Sequence, residues 1–273
     1  MSSSRRDAAF FKFDGKLDDM NMQFAQRKCQ TVLLVLAWGI SQAVCAEESP
    51  SPLVSISDVD RSIVVEMRYF SDFNFTAVKV PGYEANKCLL VKEAGQSLSE
   101  VQQELQKQGM GLKVYDCYRP QSAVDHFMRW TADANEASMK QAFYPNENKD
   151  ELVKKGYIAE RSGHTRGDSI DLTLVRLPVT DQKTLDKDRQ QDCTAPYSQR
   201  SGDNSVDMGT GYDCFDIRSH TLHPDIQGEA KSNRLLLKQV MERHGFKNYK
   251  NEWWHFTYIK PYGEKWFYSF PVR

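Results

Sequence analysis

Ser162-Gly-His-Thr-Arg-Gly-Asp-Ser-Ile-Asp-Leu-Thr-Leu174 is the stretch from which the rest of the chain can be read. Its second half alternates strictly, placing Ile170, Leu172 and Leu174 on one face of a strand and Asp171 and Thr173 on the other. Its first half sets His164 among glycines, in the manner of a loop. An acidic side chain inside such an apolar strand is costly to bury without a partner or a metal. Asp171 therefore either lies on a wet face of the sheet or has something to hold.

Upstream, Leu98, Val101 and Leu105 recur at helical spacing in a segment that stops at Gly109. Gly111-Leu-Lys-Val-Tyr-Asp-Cys-Tyr118 then alternates as a strand, and Pro120 opens a helix with Ala123, Phe127 and Trp130 on one face. Downstream, residues 180–206 are rich in Asp, Gln, Lys and Ser and read as a long loop or insertion. Glu229 to His244 reads as a helix stopped by Gly245, and Trp253 to Ile259 is aromatic, β-branched and strand-like. Strands and helices alternate without a regular βαβ period or a glycine-rich phosphate loop. The pattern predicts a single α+β domain with a central, mainly antiparallel sheet flanked by helices.

A second segment, Glu252-Trp-Trp-His255, supplies what the first lacks. A catalytic zinc needs three protein ligands of histidine or carboxylate type and an open position for water. Its bound water becomes acidic enough to serve as a nucleophile, and a carboxylate that is not a ligand can take the proton. The two segments offer two histidines, one aspartate and a spare glutamate. Glu252 and His255, at i and i+3, fall on opposite faces of a regular strand, so a bend or bulge is expected between them.

The pattern Ser162-x-His164-x-x-Gly167-x-x-x-Asp171 with Glu252-x-x-His255 resembles the signature of the D-alanyl-D-alanine peptidases, most closely the VanX-type dipeptidases. Tyr115-Asp-Cys-Tyr-Arg-Pro120 and Met208-Gly-Thr-Gly-Tyr-Asp213 are similar to family segments in the same order, and the resemblance runs from about Tyr69 to Val272. It implies a hedgehog/D-Ala-D-Ala-peptidase-like fold, one zinc ion per chain on His164, Asp171 and His255, and Glu252 as the base. It further implies Arg119 as the cation that stabilises the oxyanion, with Ser162, Tyr69 and Asp213 shaping the pocket around the substrate's amino end. An anionic Asp213 suits a free ammonium and so favours a small D-amino-acid dipeptide. Ser169 stands where the family usually has alanine, Cys117 where the VanX type has glycine, and residues 180–206 exceed the loop of compact members. That longer loop is expected to cover the site and keeps open a carboxypeptidase acting on peptidoglycan stem peptides. A zinc-binding module without catalysis is the remaining alternative, though it leaves Glu252 and Arg119 without a purpose.

Composition sets the remaining bounds. With 273 residues, 40% hydrophobic and 27% charged, and a formal charge of −1, the chain has no broad basic field for a nucleic acid. Arg27-Lys28, the apolar run Thr31–Ile40 and the small residues up to Ala46 match a secretory signal, with translation from Met20 or Met22 giving one of ordinary length. The run is short for a membrane span, the other reading being an anchored or buried helix. Residues 1–46 are thus read as extension and signal, 47–57 as a polar linker, and 58–273 as the zinc peptidase domain. A periplasmic or secreted protein without stable membrane insertion follows. Cys88, Cys117, Cys193 and Cys214 remain after cleavage, and in an oxidising compartment four cysteines allow three connectivities. Cys88–Cys117 and Cys193–Cys214 is the expected pairing, since the second bond would pin the long polar stretch; free buried thiols are the alternative.

Overall fold

The computed structural model describes residues 52–180, 185–263 and 265–273. The expected extension and signal, and the start of the expected linker, lie outside the described residues. In chain order the elements are β1 (Val54–Ser55), α1 (Ile56–Val59), β2 (Val64–Val65), β3 (Leu89–Leu90), α2 (Lys92–Gln106) and β4 (Met110–Asp116). There follow α3 (Gln121–Ala132), α4 (Lys140–Phe143), β5 (Ser169–Arg176), α5 (Gly228–Arg243), β6 (Phe246–Asn248) and β7 (His255–Tyr258). Among the described residues no helix is long and apolar enough to cross a membrane.

The alternation of β5 puts it at the centre of a five-stranded sheet in the order β2-β4-β5-β7-β6. The β4–β5, β5–β7 and β6–β7 pairs are antiparallel, and only β2 runs parallel to its neighbour β4. This is the mixed α and β architecture expected, with mainly antiparallel pairing. Ile170, Leu172 and Leu174 are fully buried and join one core with Leu98, Val101 and Leu105 of α2 and Leu237, Val240 and Met241 of α5. These helices lie against the sheet and against each other. The other face of β5 is also buried, but it carries Ser169, Asp171 and Thr173. Asp171 is therefore not on a wet face, and a buried aspartate demands partners.

The end of the expected linker is folded in. Val54 and Ser55 pair with Leu90 and Leu89, and Leu53 and Ile56 are buried at 4% and 0% exposure. The prolines and serines around them mask two apolar residues that have a place to go. Leu53 also explains Gly167, which adopts φ +70° and whose missing Cβ would fall 2.7 Å from a Leu53 methyl. Any L-residue there would meet both backbone strain and a clash.

Both expected disulfides form, Cys88–Cys117 and Cys193–Cys214, with Cα separations of 5.1 and 5.7 Å. The second ties the polar stretch to the domain. Asp203 in that stretch accepts hydrogen bonds from Arg68 (2.7 Å) and the Tyr115 hydroxyl, and Ser205 bridges to Val175 at the end of β5. The described part of residues 185–206 is thus fastened by charge and hydrogen bonds to the sheet and its surroundings and by a covalent bond to Cys214.

Candidate active site

The site grows from three neighbouring strands. Asp171 of β5 is the register partner of His255 at the start of β7, and on its other side of Asp116 at the end of β4. Paired residues share a face, so the three side chains form a row across the sheet. Asp116 reaches that row only because the β4–β5 register shifts between Val114 and Asp116. On strict alternation it would share the apolar face with Leu112 and Val114; the bulge re-aims it.

His164 arrives from a short 3-10 turn, Gly163–Arg166, just ahead of β5. Ser162 caps this turn, its Oγ accepting the His164 N–H at 3.2 Å, and left-handed Gly167 closes it. His164 Nδ1 lies 2.7 Å from the Cys117 carbonyl. A carbonyl only accepts, so Nδ1 carries the hydrogen and donates it, leaving the Nε2 lone pair free to bind.

His164 Nε2, His255 Nδ1 and Asp171 Oδ1 converge at 3.1 Å (His164 to His255), 3.3 Å (His164 to Asp171) and 3.0 Å (His255 to Asp171). A tetrahedral zinc with ligands at its usual bond lengths has donor–donor edges of about 3.3 Å, so the triangle fits such an ion to within a few tenths of an ångström. Among the described residues this is the cluster able to hold a metal. Charge points the same way. Asp171, Asp213 and Glu252 are 2%, 4% and 8% exposed and line one cavity with Arg119, the buried cation that Asp116, at 0% exposure, already pairs. Buried carboxylates in such excess call for a divalent cation.

Titration follows from this crowding. Burial pushes the Glu252 carboxyl well above the usual range, with the charges of Asp171 and Asp213 adding to it and Arg119 opposing. Burial also raises Asp213, to about 7, again with help from Asp171. Burial acts the same way on Asp171, but the charges and hydrogen bonds of His164 and His255 prevail and hold it far below the usual range.

Of the bend or bulge expected between Glu252 and His255, the chain takes the bend, a turn before β7. The Glu252 N–H bonds the Tyr249 carbonyl and the His255 N–H the Glu252 carbonyl, so the glutamate stands outside the strand. Its Oε2 comes within 3.9 Å of His255 Nδ1, beside the ligand triangle but not in it. Arg119 is gripped by Asp116, whose Oδ2 accepts from Nε and a terminal nitrogen at 2.9 Å each. The same terminal nitrogen stands 3.8 Å from Asp171 Oδ2. The guanidinium also lies 5.2 Å from the ring centres of Tyr69 and Phe127.

All eight residues expected at the site line one cavity of about 320 Å³: His164, Asp171, His255, Glu252, Arg119, Ser162, Tyr69 and Asp213. Tyr69 donates to Asp213 Oδ2 at 2.7 Å, and Asp213 holds a left-handed φ of +56°. A non-glycine residue in that region is strained by about 1–3 kcal/mol, a feature that gathers at working sites. The expectation that residues 180–206 cover the site is corrected: among the described residues none of that stretch lines the cavity. Their ties to Arg68 and Tyr115 draw them to the sheet instead.

Sequence reasoning missed two residues. Asp116 holds Arg119 and receives the Tyr83 hydroxyl at 2.6 Å. Its signal was present, since a charge at the third apolar-face position of Leu112-x-Val114-x-Asp116 marks a bulge. Tyr212 donates to Asp171 Oδ2 at 3.1 Å and stacks on Tyr115 with ring centres 4.3 Å apart. No local signal in the sequence distinguishes it from a core tyrosine.

A family model described as D-ala-D-ala dipeptidase matches residues 50–186 and 189–273. A D-alanyl-D-alanine dipeptidase of Enterococcus faecalis is 36% identical over 203 residues, covering 74% of this chain and 89% of its own length. Its counterpart from Enterococcus faecium is 33% identical over 219 residues, covering 80% of this chain and 96% of itself. One from Streptomyces coelicolor is 33% identical over 207 residues, covering 76% of this chain and 91% of itself.

Proposed function

This chain belongs to the D-Ala-D-Ala dipeptidase family of zinc metallopeptidases, and from that premise we propose that it is an exported enzyme that hydrolyses D-alanyl-D-alanine with Glu252 as general base. The observation that carries the proposal is the convergence of the His164, Asp171 and His255 donors beside a glutamate that is not part of their triangle. One zinc ion would be held by those three residues. When bound, zinc supplies a Lewis acid that polarises the peptide carbonyl and acidifies water.

The chain's own residues account for the remaining steps. The Glu252 carboxylate takes a proton from the attacking water and, once protonated, delivers it to the departing amine. Arg119, fixed by Asp116, stands ready beside Asp171 to stabilise negative charge growing on the carbonyl oxygen. Replacing Arg119 with alanine is expected to lower kcat/KM by about a hundred- to a thousandfold, with zinc content unchanged; wild-type turnover in that variant would remove Arg119 from the reaction.

Asp213 and Tyr69 form the seat for the substrate's ammonium. A carboxyl raised to about 7 by burial and by Asp171 gains most from an arriving positive charge, which restores its ionised form. Both residues are buried, at 4% and 2% exposure, so a chain continuing past the amino end has no evident way through. This supports a dipeptide over a longer stem peptide. Free D-alanyl-D-alanine is expected to be cleaved at least a hundredfold faster than its N-acetylated form; the reverse preference would replace the dipeptidase reading with a carboxypeptidase. The signal-like segment ahead of residue 47 and the two disulfides support export, because such bonds persist in oxidising compartments. The broader hedgehog-like fold assignment rests on the same motif order.

A further inference from the structure

A dipeptide is a zwitterion, and the pocket as described so far answers only one of its two charges. The ammonium has Asp213 and Tyr69. The carboxylate would enter a cavity already crowded with Asp171, Asp213 and Glu252, where an uncompensated second anion is strongly disfavoured. The side chains lining that cavity include two permanent cations, Arg119 and Arg161.

Arg119 is committed. Two of its guanidinium nitrogens bond Asp116, and the charge that remains beside Asp171 is assigned to the carbonyl oxygen of the reacting bond. Arg161 differs on each count. It stands on the loop directly before Ser162 and His164, it is exposed at the cavity's edge, and no carboxylate lies within ion-pair distance of it in the described structure. The same loop contributes Gly156, Tyr157, Ile158 and Ala159 to the cavity wall, whereas Asp213 and Tyr69 come from other parts of the chain. The two ends of the substrate are thus met by separate segments.

We infer that Arg161 is the specificity residue for the substrate's free C-terminal carboxylate, a role no part of the reaction scheme above assigns to it. Its planar fork matches a carboxylate bidentately, and its place directly before the metal-binding turn puts it on the wall of the same cavity as His164, Asp171 and His255. The inference rests on the functional reading only in requiring a substrate that ends in a free carboxylate, which a dipeptidase and a carboxypeptidase share.

The test compares D-alanyl-D-alanine with its C-terminal amide on the zinc-loaded full chain. The wild-type protein is expected to prefer the acid, and Arg161→Ala to raise KM for the acid by about ten- to a hundredfold with kcat nearly unchanged and the amide little affected. Arg161→Lys should recover part of the preference, since it keeps the charge and loses the fork. In the inactive Glu252→Gln background, calorimetry should give the same acid-to-amide ratio as an affinity, and adding Arg161→Ala should collapse it. An acid preference that survives in Arg161→Ala overturns the inference and leaves the functional reading intact. If the wild-type protein spares the free dipeptide, the same comparison is made on N-acetylated D-alanyl-D-alanine. Turnover of neither would overturn the functional reading and this inference together.

Discussion

Glutamine in place of Glu252 is expected to reduce turnover by about 10³- to 10⁴-fold while zinc remains bound at one per chain. The substitution keeps the shape of the side chain and removes only its ability to take and return a proton. It leaves the ligand triangle intact, because Glu252 stands outside it in the turn that precedes β7. The variant should also be no less stable than the parent. In the metal-free protein the Glu252 carboxyl is pushed upward by burial and by Asp171 and Asp213, so its ionised form is disfavoured there and a neutral amide relieves the conflict. Melting the metal-free variant beside the metal-free parent checks this point, and lost activity without lost stability separates catalysis from folding. A variant that still turns over at more than a tenth of the parental rate would take the base assignment away from Glu252.

Removing the metal should have an effect as large, and a second one that activity assays do not see. Dialysis against a chelator is expected to take hydrolysis to background, and added zinc to restore it. The physical reason is the excess of buried carboxyls over Arg119, which leaves the empty pocket short of positive charge. A ligand that binds the folded chain alone stabilises it by about 4 kcal/mol at a thousand times its Kd. In a domain of this size that raises Tm on the order of 10 °C. Asp171→Asn should abolish both responses, since it exchanges the one anionic ligand for a weak amide oxygen and leaves Tyr212 without the carboxylate it bonds. Chelator-resistant hydrolysis with a zinc-independent Tm would dismiss the metal reading altogether.

What could be read in advance followed from periodicity and from residue chemistry. The Ile170–Leu172–Leu174 stripe gave the central strand, and the recurrence of Leu98, Val101 and Leu105 gave the helix that packs on it. His164, Asp171, Glu252, His255, Arg119, Ser162, Tyr69 and Asp213 all meet at one cavity, although they were picked from segments far apart in the chain. What stayed hidden depended on register or on tertiary neighbours. Leu53 and Ile56 sit among prolines and serines, and only the arrival of Leu89 and Leu90 turns them into sheet and core. The charge at Asp116 breaks the local alternation and so flags a bulge, but which residues it then faces is decided by the register of β5. Tyr212 matters through Asp171 and Tyr115, two contacts that no spacing rule encodes. The turn holding Glu252 was foreseen as an irregularity, but its form depended on the Tyr249 carbonyl.

The row Asp116–Asp171–His255 lies across three strands as one line of register partners. Side chains alternate between faces, so sliding β5 by a single residue against β7 would bring Ile170 to the polar line and send Asp171 in among the leucines. No mispaired version of this sheet could retain the ligands, and no version retaining the ligands could be mispaired. In a library of random insertions and deletions, changes of one residue within β4, β5 or β7 should therefore vanish together from a screen for solubility and a screen for activity, whereas length changes between residues 185 and 200, away from the cavity, should persist in both.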